Sequence, residues 1–515
     1  MLEDASSPRW ATWLALAVAQ LGALLLLLEV VRAPIDGEWY ERQALVQAQI
    51  EKAMRSGDLF RGGTYNLTSP PVLFEGPLFQ GAVCATASFL DADALVVARC
   101  LNIALFFASL WTFLALSRAL GFGEVRVALA GVLVCASPLL LHYQSVPLSD
   151  GLAIFSSLLA LWGYVRLADL RSSTSRFTAW AALIVGGVAA AFVKCTVGIP
   201  AAGAAAAHAW SGGRWRTGAA LPLASFAAVS VVGLIAHLWL RAHVNAGAPI
   251  LNESASWLFG SLEERFTPSS WRALARPLLE LVLPTPLALL AVAGCVALLI
   301  RRGADPARAV LLGWGFASGA YLLVFFPLHV KHSYYLLPFV FPAAACAAAV
   351  LPAGELVARR TWPRSGFASA GLLSASAAAG AVFAGSIGLA ELRSSFTAQE
   401  RARGAWIQAS TEPRDFVIYL TKENLPFHDH PLYVAHRDGV PIALRLLEIH
   451  GLESIYSIFL ARMLDAAGRA KYRRICIYAP AELVAPTEEL LGDVPQLDLL
   501  RSREHGDLYV YRLQP

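Results

Sequence analysis

The groups in this sequence best placed to do chemistry are ionisable side chains at the edges of long apolar runs. Asp36 and Glu38 follow the first run, and Glu75 precedes a short apolar segment. Asp150 opens a later run, Lys194 interrupts the apolar stretch 178–210, and Lys331-His332-Ser333-Tyr334-Tyr335 opens another. A charge at membrane depth, or at the mouth of a span, is expensive to desolvate, so such residues are functional candidates by default. A carboxylate partly screened from water can take a proton from an incoming hydroxyl or amine. That is the chemistry open to Asp36. Helix capping is its other reading, since Asp caps well and Glu38 in the first turn suits the helix dipole. Asp150, in Leu148-Ser149-Asp150-Gly151, has the same two readings. Lysine occurs only at 52, 194, 331, 422 and 471, against abundant arginine. Burying Lys194 between two apolar runs requires an anion or a carbonyl cage nearby, unless it snorkels from a span end. An aromatic belt accounts for Tyr334 and Tyr335, whereas a lipid-linked phosphate accounts for Lys331 and His332 as well. Arg265, beside Glu263 and Glu264, reads as part of a solvated face, with a phosphate contact as its alternative.

The elements that must position these groups are membrane helices. Hydrophobic residues make up 57% of the 515, charged residues 15%, and the mean hydropathy is +0.55. A chain so apolar is a polytopic membrane protein. A span needs about 20 apolar residues, and on that measure about eleven are expected. They lie near 10–31, 94–118, 125–142, 150–168, 178–193, 196–210, 217–240, 280–300, 307–328, 333–352 and 367–390. The first has no small-residue cleavage site behind it and reads as a retained anchor. With a cytoplasmic N-terminus, arginines such as Arg118, Arg126, Arg171, Arg214, Arg301 and Arg359 fall on the inner turns, as the positive-inside rule asks. The odd count then puts loops 32–93 and 241–279 and the segment 391–515 outside, with every candidate site residue facing that side.

Within loop 32–93, Trp39, Ala44, Leu45, Ala48 and Ile50 recur near helical spacing among charges, which predicts a helix lying in the interface. Gly81 to Leu90 is too short to span and reads as a juxtamembrane or re-entrant helix. From Glu391 the composition changes. Short β-rich runs (416–420, 432–435, 475–478, 508–511) mix with helical stretches at 442–449 and 455–467, predicting a small α/β domain with a largely parallel sheet. The net charge of +4 comes without a basic stripe carrying interleaved aromatics, so nucleic acid is excluded as a partner. Six of the seven cysteines lie in or beside apolar runs, with no disulfide or zinc spacing.

In order along the chain, the motifs are Asp36-x-Glu38; Pro70-Pro71; Phe74-Glu75-Gly76-Pro77-Leu78; Ala98-Arg99; Ser137-Pro138; Ser149-Asp150; Phe192-Val193-Lys194; and His332-x-Tyr334-Tyr335-Leu-Leu-Pro338. Over about residues 1–350 this set resembles the polytopic GT-C membrane glycosyltransferases. It is most similar to the bacterial branch holding the lipid A aminoarabinose transferases and the protein O-mannosyltransferases. The resemblance implies an all-α GT-C-like domain at 1–390 and an extracytoplasmic α/β domain at 391–515 in a bacterial inner membrane. It implies inverting transfer of a sugar from a polyprenyl-phosphate donor to a hydroxyl or amine of a lipid, a glycan such as lipopolysaccharide, or a protein. It gives Asp36 the role of general base or acceptor-orienting carboxylate. Glu38 and Asp150 would shape the acceptor side or help hold a divalent cation, with Asp150 as the metal ligand. Lys194, Lys331, His332 and Arg265 would neutralise the leaving phosphate, with Glu75, Tyr334 and Tyr335 lining the substrate site. The family often has a phosphate-contacting lysine where this chain has Gly76, and Lys194 or Arg61 is the expected substitute.

Two other classes fit buried charges among many spans: a transporter or lipid flippase, and an inactive glycan-binding relative. Transporters show repeated halves and helices interrupted near the midplane. Here the charges gather at one face and no repeat is visible.

Overall fold

The structure is a computed structural model. It describes residues 9–33, 75–169, 175–211, 218–244, 259–300, 306–361 and 367–393, a few positions within 42–73 and 406–410, and the strands at 415–419, 474–479, 497–502 and 506–512. Asp36, Glu38 and Arg61 lie outside the described residues. The chain divides into two units: Met1–Ala33, Phe74–His243 and Pro249–Arg393 form the first, and Pro34–Leu73, Val244–Ala248 and Ser394–Pro515 the second.

The described part of the first unit is helical. Among the described residues eight helices are long and apolar enough to cross a membrane, or nine if one bent pair counts as a span. Three features account for the difference from the eleven expected. The run 125–142 is cut into Glu124–Cys135 and Pro138–Tyr143. Pro138 has no N–H to continue the ladder, and the Ser137 hydroxyl caps the second piece by accepting from Leu140 N at 3.2 Å. The runs 178–193 and 196–210 form one apolar stretch, Arg176–Ala209. It is interrupted where Lys194 leaves helical geometry (φ −156°, ψ 87°) before the 3₁₀ turn Cys195–Val197. The run 280–300 belongs to the bent pair Pro268–Leu281 and Thr285–Ile300, at 99°. The expected short helix is Leu78–Leu90.

Two packings position the site. Helices Asp150–Ala168 and Arg176–Lys194 run antiparallel at close range. A Cβ on Gly163 would lie 2.6 Å from the Ala179 carbonyl oxygen, and one on Gly186 would lie 2.6 Å from that of Ser156. Small residues permit that approach, and it places residues 150 and 194 at the same end. The first helix, Arg9–Leu28, and the last, Phe367–Arg393, run parallel: Gly22 meets Val382, and Arg393 reaches Glu29 (3.2 Å) and the Leu26 carbonyl (2.7 Å). Buried Arg99 donates to the carbonyls of Val30 (2.7 Å), Val31 (3.4 Å) and Ala33. These carbonyls lie in the turn just after the first helix, so the exit of that helix is held from two sides.

In the second unit, helical residues occur within 42–54, and Gln43, Val46, Gln47, Ile50 and Ala53 are buried. The spacing is helical, as expected. Two glutamines lie among the buried residues, Ile50 is buried as expected, and Trp39, Ala44, Leu45 and Ala48 lie outside the described residues. The strands Asp415–Tyr419 (β1), Arg474–Ala479 (β2), Leu497–Ser502 (β3) and Gly506–Arg512 (β4) form one sheet in the order β1-β2-β4-β3. Only β1 and β2 pair in parallel; β2 with β4 and β3 with β4 are antiparallel. The expectation of a largely parallel sheet is therefore corrected: three residues between β3 and β4 allow only a hairpin. The run 432–435 and the helices expected at 442–449 and 455–467 lie outside the described residues.

Candidate active site

Three helix ends meet at a buried ion cluster. Glu75 lies just before helix Leu78–Leu90, Asp150 is the first residue of helix Asp150–Ala168, and Lys194 is the last of helix Arg176–Lys194. Carboxylates at helix N-termini and an ammonium at a helix C-terminus each match the local dipole, so each helix supports the charge it carries. The Lys194 ammonium lies 2.5 Å from Asp150 Oδ1 and 3.6 Å from Glu75 Oε1. Side-chain exposures of 8% for Lys194, 6% for Glu75 and 1% for Asp150 leave little room for water, so the partners must supply what water does not. Ser149 Oγ donates to Glu75 Oε2, joining the residue before Asp150 to the other carboxylate. On its open side the ammonium lies over the rings of Tyr334 (4.1 Å) and Tyr335 (5.0 Å), in cation–π contact.

The backbone around Gly76 is part of this construction. Gly76 N donates to Val193 O at 3.2 Å, and a Cβ at 76 would lie 2.2 Å from the Phe192 carbonyl oxygen. No side chain fits at 76 without a backbone shift, which gives a physical reason for the missing lysine. His237 Nδ1 donates to that same Phe192 carbonyl at 2.7 Å. Tyr143 and Ser333 share a 2.9 Å hydroxyl bond, tying the broken segment to the turn that carries Tyr334. Asn102 Nδ2 donates to the carbonyls of Val146 (2.5 Å) and Leu148 (2.9 Å), fixing the loop ahead of Asp150. Among the described residues the buried Oδ2 of Asp150 has no hydrogen-bond partner.

Of the residues singled out from sequence, the structure brings together Glu75, Asp150, Lys194, Tyr334 and Tyr335. His332 is half-buried and stacks on Tyr334 with ring centres 5.3 Å apart, and Lys331 is exposed beside it. Arg265 has a different job from the phosphate contact expected. Its guanidinium donates to the carbonyls of Leu323 (2.9 Å), Val324 (3.0 Å), Ser261 (2.7 Å) and Phe259, capping the end of helix Pro306–Val324. No role was expected for Ser149, Tyr143, Ser333, Asn102 or His237; the sequence marked Ser149 and Ser333 only as neighbours of Asp150 and of His332 and Tyr334. The residues around Asp150 also fit a metal poorly, because the Lys194 ammonium occupies the place between the carboxylates. Among the described residues no group of three His, Cys, Asp or Glu side chains could hold one.

No family model matches the sequence, and no curated protein matches it. Solved structures share its fold. ArnT from Cupriavidus metallidurans bound to undecaprenyl phosphate superposes with a TM-score of 0.61 at 14% identity, covering 96% of this chain and 97% of that one. The oligosaccharyltransferase AglB from Archaeoglobus fulgidus, in complex with an inhibitory peptide and a dolichol-phosphate, gives 0.54 at 12%, covering 96% and 74%. The arabinofuranosyltransferase AftD from Mycobacteria gives 0.51 at 17%, covering 99% of this chain and 40% of that one.

Proposed function

We propose, from the GT-C glycosyltransferase fold that the chain shares with these structures, that it is an integral membrane glycosyltransferase using a polyprenyl-phosphate sugar. The acceptor is a hydroxyl or amine on the extracytoplasmic face of a bacterial inner membrane. The observation that carries this reading is the buried Glu75–Lys194–Asp150 cluster at three helix ends, on a fold whose solved examples include one bound to undecaprenyl phosphate.

The acceptor oxygen or nitrogen attacks the anomeric carbon, the bond from that carbon to the phosphate oxygen breaks, and polyprenyl phosphate leaves with inversion. Asp36 takes the acceptor's proton, and Glu38 shapes the acceptor side. Lys331 and His332, beside the tyrosines, neutralise charge developing on the leaving phosphate. Lys194 orients Asp150 and Glu75. Broken helices are tolerated at membrane depth where they are buried in protein, and the parallel first and last helices agree with an odd number of crossings. The α/β domain expected at 391–515 follows the last helix, which ends at Arg393, and is extracytoplasmic.

The test is purified protein with polyprenyl-phosphate sugars and a panel of lipid, glycan and peptide acceptors, followed by product analysis. Asp36→Asn should abolish transfer while unfolding as wild type does, because Asn caps a helix about as well as Asp. Full activity in that variant removes Asp36 from the mechanism, and substrate translocation without a glycosidic product overturns the reading.

A further inference from the structure

We propose that the ammonium of Lys194 stands where a divalent cation would otherwise bridge Glu75 and Asp150, so that this carboxylate pair works with a cation built into the chain. Two carboxylates from separate helix ends, both shielded from water, form the kind of oxygen pair that recruits a hard cation. Here the position facing both is taken: Nζ is 2.5 Å from one carboxylate and 3.6 Å from the other.

The surroundings are those of an ammonium rather than a metal. On its open side Lys194 meets the rings of Tyr334 and Tyr335 at 4.1 and 5.0 Å. Aromatic faces attract an alkylammonium, whereas Mg²⁺, Mn²⁺ or Ca²⁺ requires oxygen ligands on that side. The lysine is also fixed by the backbone. It is the last residue of its helix, where a cation is favoured. The helix is in turn held by the Gly163 and Gly186 contacts and by the Gly76 bond to Val193. Removing the ammonium therefore leaves a preformed pair of buried carboxylates without the cation between them. The inference rests on the transferase reading only for what the pair does in turnover. Cation binding is measured without turnover, so failure here leaves that reading standing, and failure of that reading leaves this measurement valid.

The experiment strips purified protein with EDTA, titrates it with Mn²⁺ and follows free Mn²⁺ by electron paramagnetic resonance. Wild type should show no Mn²⁺ uptake that Asp150→Asn removes. Lys194→Ala should take up about one Mn²⁺ per chain, lost again in Lys194→Ala/Asp150→Asn. Uptake by wild type that Asp150→Asn abolishes would overturn the proposal. So would a folded Lys194→Ala protein that gains no Mn²⁺. If Lys194→Ala folds only when Mn²⁺ is present during purification, that result supports it. If the variant does not fold at all, the wild-type comparison with Asp150→Asn decides.

Discussion

Deleting the charge of Lys194 while keeping the length of its side chain, as in Lys194→Met, should cost stability through the carboxylates left behind. At an effective dielectric of about 20, charges 2.5 and 3.6 Å apart attract by about 7 and 5 kcal/mol respectively. Most of that is offset by desolvation of the three groups. What remains on removing one partner is about 3–5 kcal/mol, because the two carboxylates stay buried without the ammonium. Glu75 and Asp150 would then face each other within about 6 Å with no cation between them, and the contact with the tyrosine rings, about 1–2 kcal/mol, is lost as well. Lys194→Met/Asp150→Asn removes one negative charge along with the positive one and should be more stable than the single losses summed, by about 1.5–3 kcal/mol. Reversible unfolding of the four proteins of this cycle in detergent micelles measures that coupling. Additivity within about 0.5 kcal/mol would mean that the pair contributes no specific interaction, and the account of the cluster would be wrong.

Gly76→Ala brings a methyl group to 2.2 Å from the Phe192 carbonyl and should destabilise by about 1–3 kcal/mol, seen as a lower unfolding temperature. Arg265→Met leaves helix-end carbonyls uncapped and should lower stability without changing the apparent donor KM; a donor KM raised tenfold or more would return Arg265 to the phosphate. Tyr334→Phe should retain the Lys194 cation–π contact, whereas Tyr334→Leu should lose it, at about 1–2 kcal/mol by thermal unfolding.

The sequence made the membrane helices legible because a span is a local property of composition. It misled wherever a span is interrupted by something hydropathy does not register: Pro138 after a capping serine, the dihedral break at Lys194, and the bend before Thr285. Lys194 was visible as a charge between apolar runs, but its partners were not. They lie 44 and 119 positions away, and the antiparallel glycine contacts that bring Asp150 to it read only as small residues. The place of Gly76 was legible as a departure from a pattern. Its cause, the Phe192 carbonyl, is a backbone feature that no side-chain pattern records. Of the strands, β3 was missed because Leu497-Asp498-Leu499-Leu500-Arg501-Ser502 has no β-branched or aromatic residue to mark it.

The hairpin of helices Asp150–Ala168 and Arg176–Lys194 also bears on how the chain enters a bilayer. Its two charges of opposite sign sit at the same end, on arms that are adjacent in synthesis. A lone Asp or Lys costs about 2.5–3.5 kcal/mol at the centre of a bilayer on insertion scales, and less at a helix end such as these. An arm entering alone bears that smaller cost with its charge unscreened, whereas the two arms entering together carry a neutral pair. The ion pair that organises the finished site thus also favours insertion of these two helices as a single step.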